Sequence, residues 1–443
     1  MIDSFRGFIS LLESENQLVR IKRSVSTYLE INRIAKSYIE KDGAAAFFEN
    51  VEGYSIPIVA GIFGKRERVF DLLGVSASNF EVEFNRRIER LWDFAPIIVE
   101  HGPVKDRILR GDEVDLNVLP FTKHGELDGG WYISSGVCLS KDPGTGVINA
   151  SYHRLMRHGP RSLGIWMAPF DLRRIAEAYW AQGSPCPIAV VIGADPYTML
   201  AACTSIEYDQ DEMALAGSLR GKPIELAACE SVPLEIPSGA EIVLEGWIHS
   251  NDELEEGPFA ETSGYYSTPR MAPVIRITAI TSRKAPFFHD IVTGIPPDEN
   301  QAMLITHQAK LYKSAISLLP ESVLEVYLTP GGCTSFDAVV KIKKKLPDEP
   351  KKLGHHLFSH MPRLKNVWVV DEDIDPANPI QVEWAYATRC RGGRNIAILS
   401  GVKGLPLDPL TRDGLIDKVI FDCTTPLPEE MSRGERVAIP CLK

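Results

Sequence analysis

In the stretch EEGPFAETSGYY two carboxylates, Glu256 and Glu261, stand five positions apart across a Gly-Pro turn and run into an aromatic pair, Tyr265 and Tyr266. Carboxylates held together in this way can exchange protons with a substrate; two glutamates in a polar turn look the same in isolation. Commoner chemistries lack their signatures. No G-x-G-x-x-G follows a strand, and no Walker loop, G-x-S-x-G or H-E-x-x-H occurs, so nucleotide, hydrolase and zinc-protease readings lose support. The acidic group Asp371, Glu372, Asp373 and Asp375 could hold a hard cation, but reads first as the surface end of a strand. The eight cysteines contain no C-x-x-C pair, which argues against zinc ribbons and iron–sulfur clusters and for reduced, mostly buried thiols.

The elements that must position these residues change character along the chain. Tyr28, Ile31, Ile34, Ala35, Tyr38 and Ile39 recur at helical spacing, with Thr27 and Glu30 as a capping box, inside a first hundred residues that read as an α/β domain. From about residue 112 short strands dominate. WYISSGVCLS and GVINASYHRLM flank the turn KDPGTG as a hairpin, EIVLEGWIHS alternates apolar and polar, VIRITAI follows, and PIAVVIGADP reads as a buried strand, with one helix at LRRIAEAYW. So many short strands favour a sheet or barrel over a doubly wound fold. After PPDEN, the run ENQAMLITHQAKLYKSAISLL predicts a long helix joining two domains. Beyond it VLEVYLT, AVVKIKK, NVWVVDEDID and NIAILSG alternate with helical spacers, which is α/β again. The expected division is 1–111, 112–298 and 299–443.

A chain of 443 residues exceeds one ordinary core, and 44% hydrophobic with 24% charged residues is the composition of a globular protein. The formal charge of −11 disfavours nucleic-acid binding; the basic run Lys341 to Lys345 reads as a solvated strand end. The start, MIDSFRGFISLLESENQLVRI, has charges every few residues and no uninterrupted apolar stretch, so a cytoplasmic protein without a membrane partner is expected. An acidic protein that holds an anionic ligand needs local cations to do so.

The motifs NASYHR (Asn149 to Arg154), GADP (Gly193 to Pro196), DEMALAGSLRG (Asp211 to Gly221), EIVLEGW, EGPFAETSGYY, TGIPPDE and VDEDIDP occur in one order. This ordered set resembles the UbiD family of reversible decarboxylases over about residues 110 to 425. The resemblance implies a mixed α/β (α+β) protomer: an N-terminal α/β domain, a central split β-barrel of the flavin-reductase type, and a C-terminal α/β oligomerisation domain reached through the long helix. It also implies assembly into homodimers or homohexamers. Removing CO2 from an sp2 carbon leaves a carbanion without an adjacent electron sink, so a cofactor must supply one. In this family that cofactor is prenylated FMN, furnished by a flavin prenyltransferase, and the substrates are aromatic, heteroaromatic or α,β-unsaturated acids.

Carried over residue by residue, Arg154 with Glu256 and Glu261 matches the family's Glu-Arg-Glu network. The guanidinium fork suits a substrate carboxylate, Glu261 would donate the proton after CO2 leaves, and Glu256 would stay the ionised partner of Arg154. Cofactor contacts fall on Asn149, Ser151, Tyr152, His153, Arg154, Pro169, Phe170, Glu212 and Lys418, the last matching a phosphate-contacting lysine. Asn149 and Glu212 match the metal positions, whose oxygen donors favour Mn2+ or Mg2+; a K+ site near the carbonyls of Ala202 to Thr204 is also implied. The family's third metal ligand, a histidine shortly before a helix, aligns with Phe170 in WMAPFDLRR, so either a water completes the shell, or His153 or His158 substitutes, or the site is weaker than usual. Asn300, Gln301, Leu304 and His307 fall where relatives place side chains over the substrate, with no arginine among them for a second carboxylate or phosphate. Two other readings fit the same barrel: an oxidoreductase using ordinary FMN, or a non-catalytic subunit of a larger carboxylase.

Overall fold

The run CPIAVVI is apolar and rich in β-branched residues, as a strand covered on both faces requires, and Cys186–Ile192 is buried at every position. In the computed structural model, which describes residues 2–425 apart from Pro169, Pro296, Pro297 and Thr334, this strand lies within the largest sheet. Among the described residues that sheet has nine strands, in the order Tyr132–Ile133, Leu155–Gly159, Ser162–Ile165, Arg270–Ser282, Ile242–Glu256, Cys186–Ile192, Val137–Lys141 and Ile148–Tyr152, with Arg107–Arg110 added beside Arg270–Ser282. Ile148–Tyr152 and Leu155–Gly159 sit towards opposite ends of this order, yet only His153 and Arg154 separate them. Three peptide steps reach at most about 11 Å. The sheet must therefore curl until its ends approach, giving an antiparallel half-barrel with Arg154 at the closure.

The KDPGTG hairpin forms with Lys141 opposite Ile148, while the WYI segment ahead of it is a separate strand paired to Leu155–Gly159. EIVLEGWIHS predicts a strand of ordinary length; the observed Ile242–Glu256 continues well past Ile248, where its pairing with Cys186–Ile192 ends. Its register against Arg270–Ser282 shifts at Glu245/Gly246 and again between Ile248 and Glu253. Gly246 makes the first shift possible, since a Cβ there would stand 2.4 Å from the Arg276 carbonyl oxygen.

Leu18–Val25, Ala45–Val51, Ile58–Ala60 and Phe288–Asp290 form a second, mixed sheet. Helix Glu30–Asp42 crosses between its first two, parallel strands and buries Ile31, Ala35 and Ile39. The capping box expected of Thr27 does not form: Leu29 precedes the helix in the left-handed region, and the Glu30 carboxylate accepts from the Ser26 backbone N–H at 2.8 Å instead. Arg107–Arg110 joins the barrel sheet and Phe288–Asp290 joins the N-terminal one, so the two layers exchange strands. Together they make one compact unit, Met1–Lys310, and Leu311–Lys443 makes a second; helix Gln301–Leu318 passes from the first to the second.

In the second unit the sheet order is Val323–Leu328, Asp337–Ile342, Asn366–Asp371, Leu415–Cys423 and Ile396–Lys403. Lys341 pairs with Glu325 and Lys345 with Glu321, as a solvated strand end would. Arg389 bridges Asp371 and Asp373, so a guanidinium, not a metal, answers those acids. The seven described cysteines are free thiols; Cys441 lies outside the described residues. No helix among the described residues is long and apolar enough to cross a membrane.

Candidate active site

Arg154 leaves the barrel closure and meets both carboxylates of the EEGPFAE turn. Its Nε donates to Glu256 Oε1 at 2.8 Å and its Nη2 to Glu256 Oε2 at 2.7 Å, while Nη1 donates to Glu261 Oε1. The partners are enclosed unequally: the Glu256 side chain is 0% exposed and that of Glu261 21%. Phe259, between them in sequence, packs under the guanidinium at 5.3 Å and against the Tyr132 ring at 4.6 Å. The Tyr132 hydroxyl lies 3.3 Å from Glu256 Oε1, and burial, with the Glu256 charge adding, pushes its pKa far up, so it stays a proton donor.

The turn is pinned by residues that sequence reading missed. Asp128, buried, accepts from the Ala260 N–H through Oδ1 (2.8 Å) and from the His124 and Gly125 N–H groups through Oδ2 (3.0 and 2.8 Å). Gly129 donates its N–H to the Pro258 carbonyl, and a Cβ on it would fall 2.1 Å from the Gly257 oxygen. Tyr265 and Tyr266 serve the same turn: the Tyr265 carbonyl accepts from the Glu261 N–H and the Tyr266 hydroxyl from the Leu127 N–H. The signal available for the first two was DGGW, an acid followed by paired glycines.

A cavity of about 130 Å³ opens beside Arg154, lined among others by Phe63, Ser134, Tyr152, His153, Cys203, Thr262, Thr293, Glu299, Asn300 and Met303. Aromatic and aliphatic walls with a few hydroxyls and one guanidinium are a donor set that fits a flat ring system and an acid. Of the four residues expected over the substrate, Asn300 lines this cavity. Gln301, Leu304 and His307 do not; Ala302 and Met303 stand there instead, and Leu304 is buried. Glu299, also unforeseen, accepts from the Gly61 and Val292 N–H groups at 2.7 and 3.1 Å, tying the cavity wall to the N-terminal layer.

Strand Ile148–Tyr152 also carries Asn149, and helix Glu212–Arg220, capped by Asp211, brings Glu212 against it. Asn149 Nδ2 donates to Glu212 Oε1 at 3.2 Å, and the Ala150 N–H donates to Oε2 at 3.1 Å. The third candidate donor is not at Phe170, the position aligned with the family's histidine, but one residue later. Phe170 precedes helix Asp171–Ala181 and is 52% exposed, whereas Asp171, the first helical residue, lines one small cavity with Asn149 and Glu212. That cavity holds about 10 Å³, the room of a single water or ion. Burial raises both carboxyls, Glu212 well above the usual range, with the Asp211 and Asp171 charges adding to it; a cation would reverse this. Among the described residues no three His, Cys, Asp or Glu side chains form a metal cluster by themselves; the donors here are two carboxylates and an amide.

The Ser151 hydroxyl stands 3.2 Å from Asn149 Oδ1 and 3.1 Å from His153 Nε2 and has one proton for the two. Burial lowers His153, whose Nδ1–H donates to the Trp166 carbonyl at 3.0 Å. One lone pair, on Asn149 or His153, therefore lacks a donor within this group, and the residues fit a cation. His158 lies elsewhere, close enough to Glu256 to feel its charge. Near the implied K+ position, the Leu200 and Ala201 carbonyls accept from Cys203 and Thr204, and the Cys203 carbonyl accepts from Thr306. Lys418 belongs to the second unit, where it donates to the Pro362 carbonyl at 2.8 Å and burial pushes it down to about 8. Pro169 lies outside the described residues.

A curled antiparallel half-barrel that brings Arg154 between Glu256 and Glu261 beside a cavity is the arrangement of a carboxy-lyase family, as the comparisons with known proteins show. The chain belongs to the UbiD family: residues 9–88, 97–296 and 301–423 match the N-terminal, Rift-related and C-terminal domains of 3-octaprenyl-4-hydroxybenzoate carboxy-lyase. It is 34% identical to the anhydromevalonate phosphate decarboxylase of Methanosarcina mazei over 99% of both chains. With the phenolic acid decarboxylase of Sedimentibacter hydroxybenzoicus it shares 32% identity over 97% of this chain and 93% of that one. Among solved structures, the UbiD-class enzyme HmfF from Pelotomaculum thermopropionicum in complex with FMN superposes with a TM-score of 0.92 at 36% identity, covering 99% of this chain and 98% of that one. An evolved dimeric form of HmfF in complex with prFMN gives 0.88 at 34% identity, with the same coverage.

Proposed function

We propose that this chain catalyses the reversible, non-oxidative decarboxylation of an aromatic, heteroaromatic or α,β-unsaturated acid with prenylated FMN. The observation that carries the reading is Arg154 held between a buried and a partly exposed glutamate at the mouth of the cavity. Prenylated FMN, when bound, supplies the electron sink for the carbanion left by CO2. The rest falls to the chain. Glu256 accepts from two nitrogens on one edge of the Arg154 guanidinium, Nε and Nη2, in a fork-to-fork pair and fixes its direction. Glu261 accepts from one nitrogen only, Nη1. A substrate carboxylate competes for that nitrogen, and like charges at one site favour a protonated member. Glu261, released and protonated, is then the group placed to return a proton to the carbon that has lost CO2.

The relatives support this: two are decarboxylases by name and HmfF binds FMN or prFMN. Asn149, Asp171 and Glu212 would hold Mn2+ or Mg2+ beside the cofactor phosphate, with K+ near Ala202 to Thr204 as a companion. An FMN oxidoreductase would have no use for two carboxylates on one arginine. We further assign a flavin prenyltransferase as cofactor supplier, a homo-oligomeric assembly, and a cytoplasmic location. The test is CO2 release from a panel of unsaturated acids by protein co-expressed with a flavin prenyltransferase. Glu261→Gln, which keeps volume and hydrogen bonds but cannot cycle a proton, should abolish turnover and retain flavin. Parental turnover in that variant would remove Glu261 from the chemistry.

A further inference from the structure

Helix Glu212–Arg220 starts at the small cavity shared with Asn149, and its last residue, about 12 Å further along the axis, lines a different one. This second cavity holds about 270 Å³ and shares no lining residue with the cavity beside Arg154. Its charged lining is four guanidiniums, Arg86, Arg87, Arg90 and Arg220, against one carboxylate, Glu83. In a chain of 59 acidic and 48 basic side chains, the local sign is reversed.

Helix ends explain part of this. Glu67–Leu73, Phe80–Glu89 and Glu212–Arg220 all finish here, and the open carbonyls of a helix C-terminus attract cations. Arg87 answers two of these ends, donating Nη1 to the Leu219 carbonyl at 2.9 Å and Nη2 to the Leu73 carbonyl at 2.8 Å, with Nε on Glu83 at 3.2 Å. Arg220 donates Nε to the Lys222 carbonyl at 3.3 Å and Nη2 to that of Pro223. Arg86 uses Nε and Nη2 on Glu83 at 2.9 and 2.8 Å, and Arg90 uses Nε on Asp93 at 2.9 Å. Donors are left over. Among the described residues no hydrogen bond takes Nη1 of Arg86, either Nη of Arg90, or Nη1 of Arg220. The side chains of Arg86 and Arg90 are 60% and 55% exposed, so their open edges reach solvent. Asp195 feels the Arg220 charge but is buried, with its oxygens on the Tyr197 and Thr198 N–H groups and the Thr198 hydroxyl. Planar guanidiniums with unused donor edges around one concavity take phosphate oxygens well. A single tetrahedral anion needs one such fork; open edges on three residues suit joined phosphoryl groups.

We propose that this cavity is a binding site for a compact phosphate polyanion of the diphosphate class, held by Arg86, Arg90 and Arg220, with Arg87 fixing the helix ends around it. The site is separate from the decarboxylase centre and does not depend on that reading.

The full chain, loaded with flavin by co-expression with a flavin prenyltransferase, would be titrated calorimetrically at constant ionic strength without added divalent metal. The probes are inorganic diphosphate, ADP and, as the single-tetrahedron control, sulfate. Diphosphate should bind at one site per chain and at least ~10-fold tighter than sulfate, the effect of one further charge-assisted contact. ADP binding as tightly would support a nucleotide as the source of the group, and diphosphate binding alone would support the free anion. Arg86→Gln and Arg90→Gln, at side chains more than half exposed, should each weaken diphosphate by ~10-fold and leave decarboxylase turnover unchanged. Arg220→Gln should weaken it likewise, and the two exposed variants carry the comparison if this one does not fold. Arg154→Gln should stop turnover and bind diphosphate as the parent does. The proposal is overturned if the parent shows no saturable heat with diphosphate, if sulfate binds equally tightly, if the three variants all bind as the parent does, or if Arg154→Gln abolishes the binding.

Discussion

Glu256 and Glu261 share a turn and a partner, and enclosure alone separates their roles: the first is sealed and held twice, the second is one-fifth exposed and held once. The same logic decides the metal side. A phenylalanine aligned with a metal position suggested a site short of a ligand, but the side chain facing Asn149 and Glu212 is that of Asp171. Successive residues at a helix start point about 100° apart, so a shift of one position exchanges an exposed phenyl for an enclosed carboxylate. Asp171→Asn removes one charge and keeps the shape. During dialysis against chelator it should lose Mn2+ markedly faster than the parent, with flavin retention falling in step because phosphate and metal would share ligands. Elemental analysis after dialysis checks this; equal retention would return the site to Asn149 and Glu212 alone.

At the scale of elements, the triad depends on one strand that runs past its neighbour and one loop that lies against the turn following it. Ile242–Glu256 carries Glu256 beyond the end of Cys186–Ile192, and the loop at Asp128 and Gly129 fixes the turn that returns Glu261 towards Arg154. Gly129→Ala places a methyl against the Gly257 carbonyl, a backbone atom that cannot swing aside. The turn must move, and displacements near 1 Å at reacting groups cost about 100-fold in rate. The expected outcome is a folded, flavin-binding protein with kcat lowered by roughly that factor. Activity at the parental level, measured with the same acid, would show that the turn tolerates the shift.

At the scale of the first unit as a whole, the layers are joined by a buried ion pair. Asp290, on the strand lent to the N-terminal sheet, accepts from His124 Nε2 at 3.0 Å, from Thr122 at 2.9 Å and from Ser134 at 2.7 Å, and Ser134 lines the cavity. Burial would lower His124, but the charge and hydrogen bond of Asp290 raise it above 6.5. Burial would raise Asp290, but His124 and the two hydroxyls bring it below 3.8. A raised histidine contributes stability below its unfolded value, and this is lost as pH rises through the folded one. A lowered aspartate contributes above its unfolded value and is lost as pH falls through the folded one. The pair therefore stabilises most fully between about pH 4 and 6.5. His124→Asn should destabilise by about 3–5 kcal/mol near pH 6, because it strands a buried carboxylate, and should remove the decline in stability above pH 6.5. Urea unfolding from pH 5 to 9 measures both; parallel curves for parent and variant would show that the pair does not titrate there.

The sequence by itself determined the strand-rich character of the barrel, the long helix, the α/β character of both ends, and the turn bearing Glu256 and Glu261. These are local matters: alternation, helical periodicity and turn residues act over a few positions, and ordered motifs carry a family's chemistry along the chain. The sequence reads GVINASYHRLM as one hairpin arm where the structure has two strands, Ile148–Tyr152 and Leu155–Gly159, and it does not show Ser162–Ile165 or Arg107–Arg110. Only the tertiary structure decided the length of Ile242–Glu256, because its second half is held by pairing with Arg270–Ser282 and not by its own alternation. It also decided which residue stands beside Asn149, which side chains reach the cavity after Glu299, and that Arg270 faces Glu256 across a strand pair. Arg154 and Glu256 are 102 positions apart, and no spacing rule spans that distance. Which carboxylate is sealed, and which cation stays unpaired, depends on everything that packs around them.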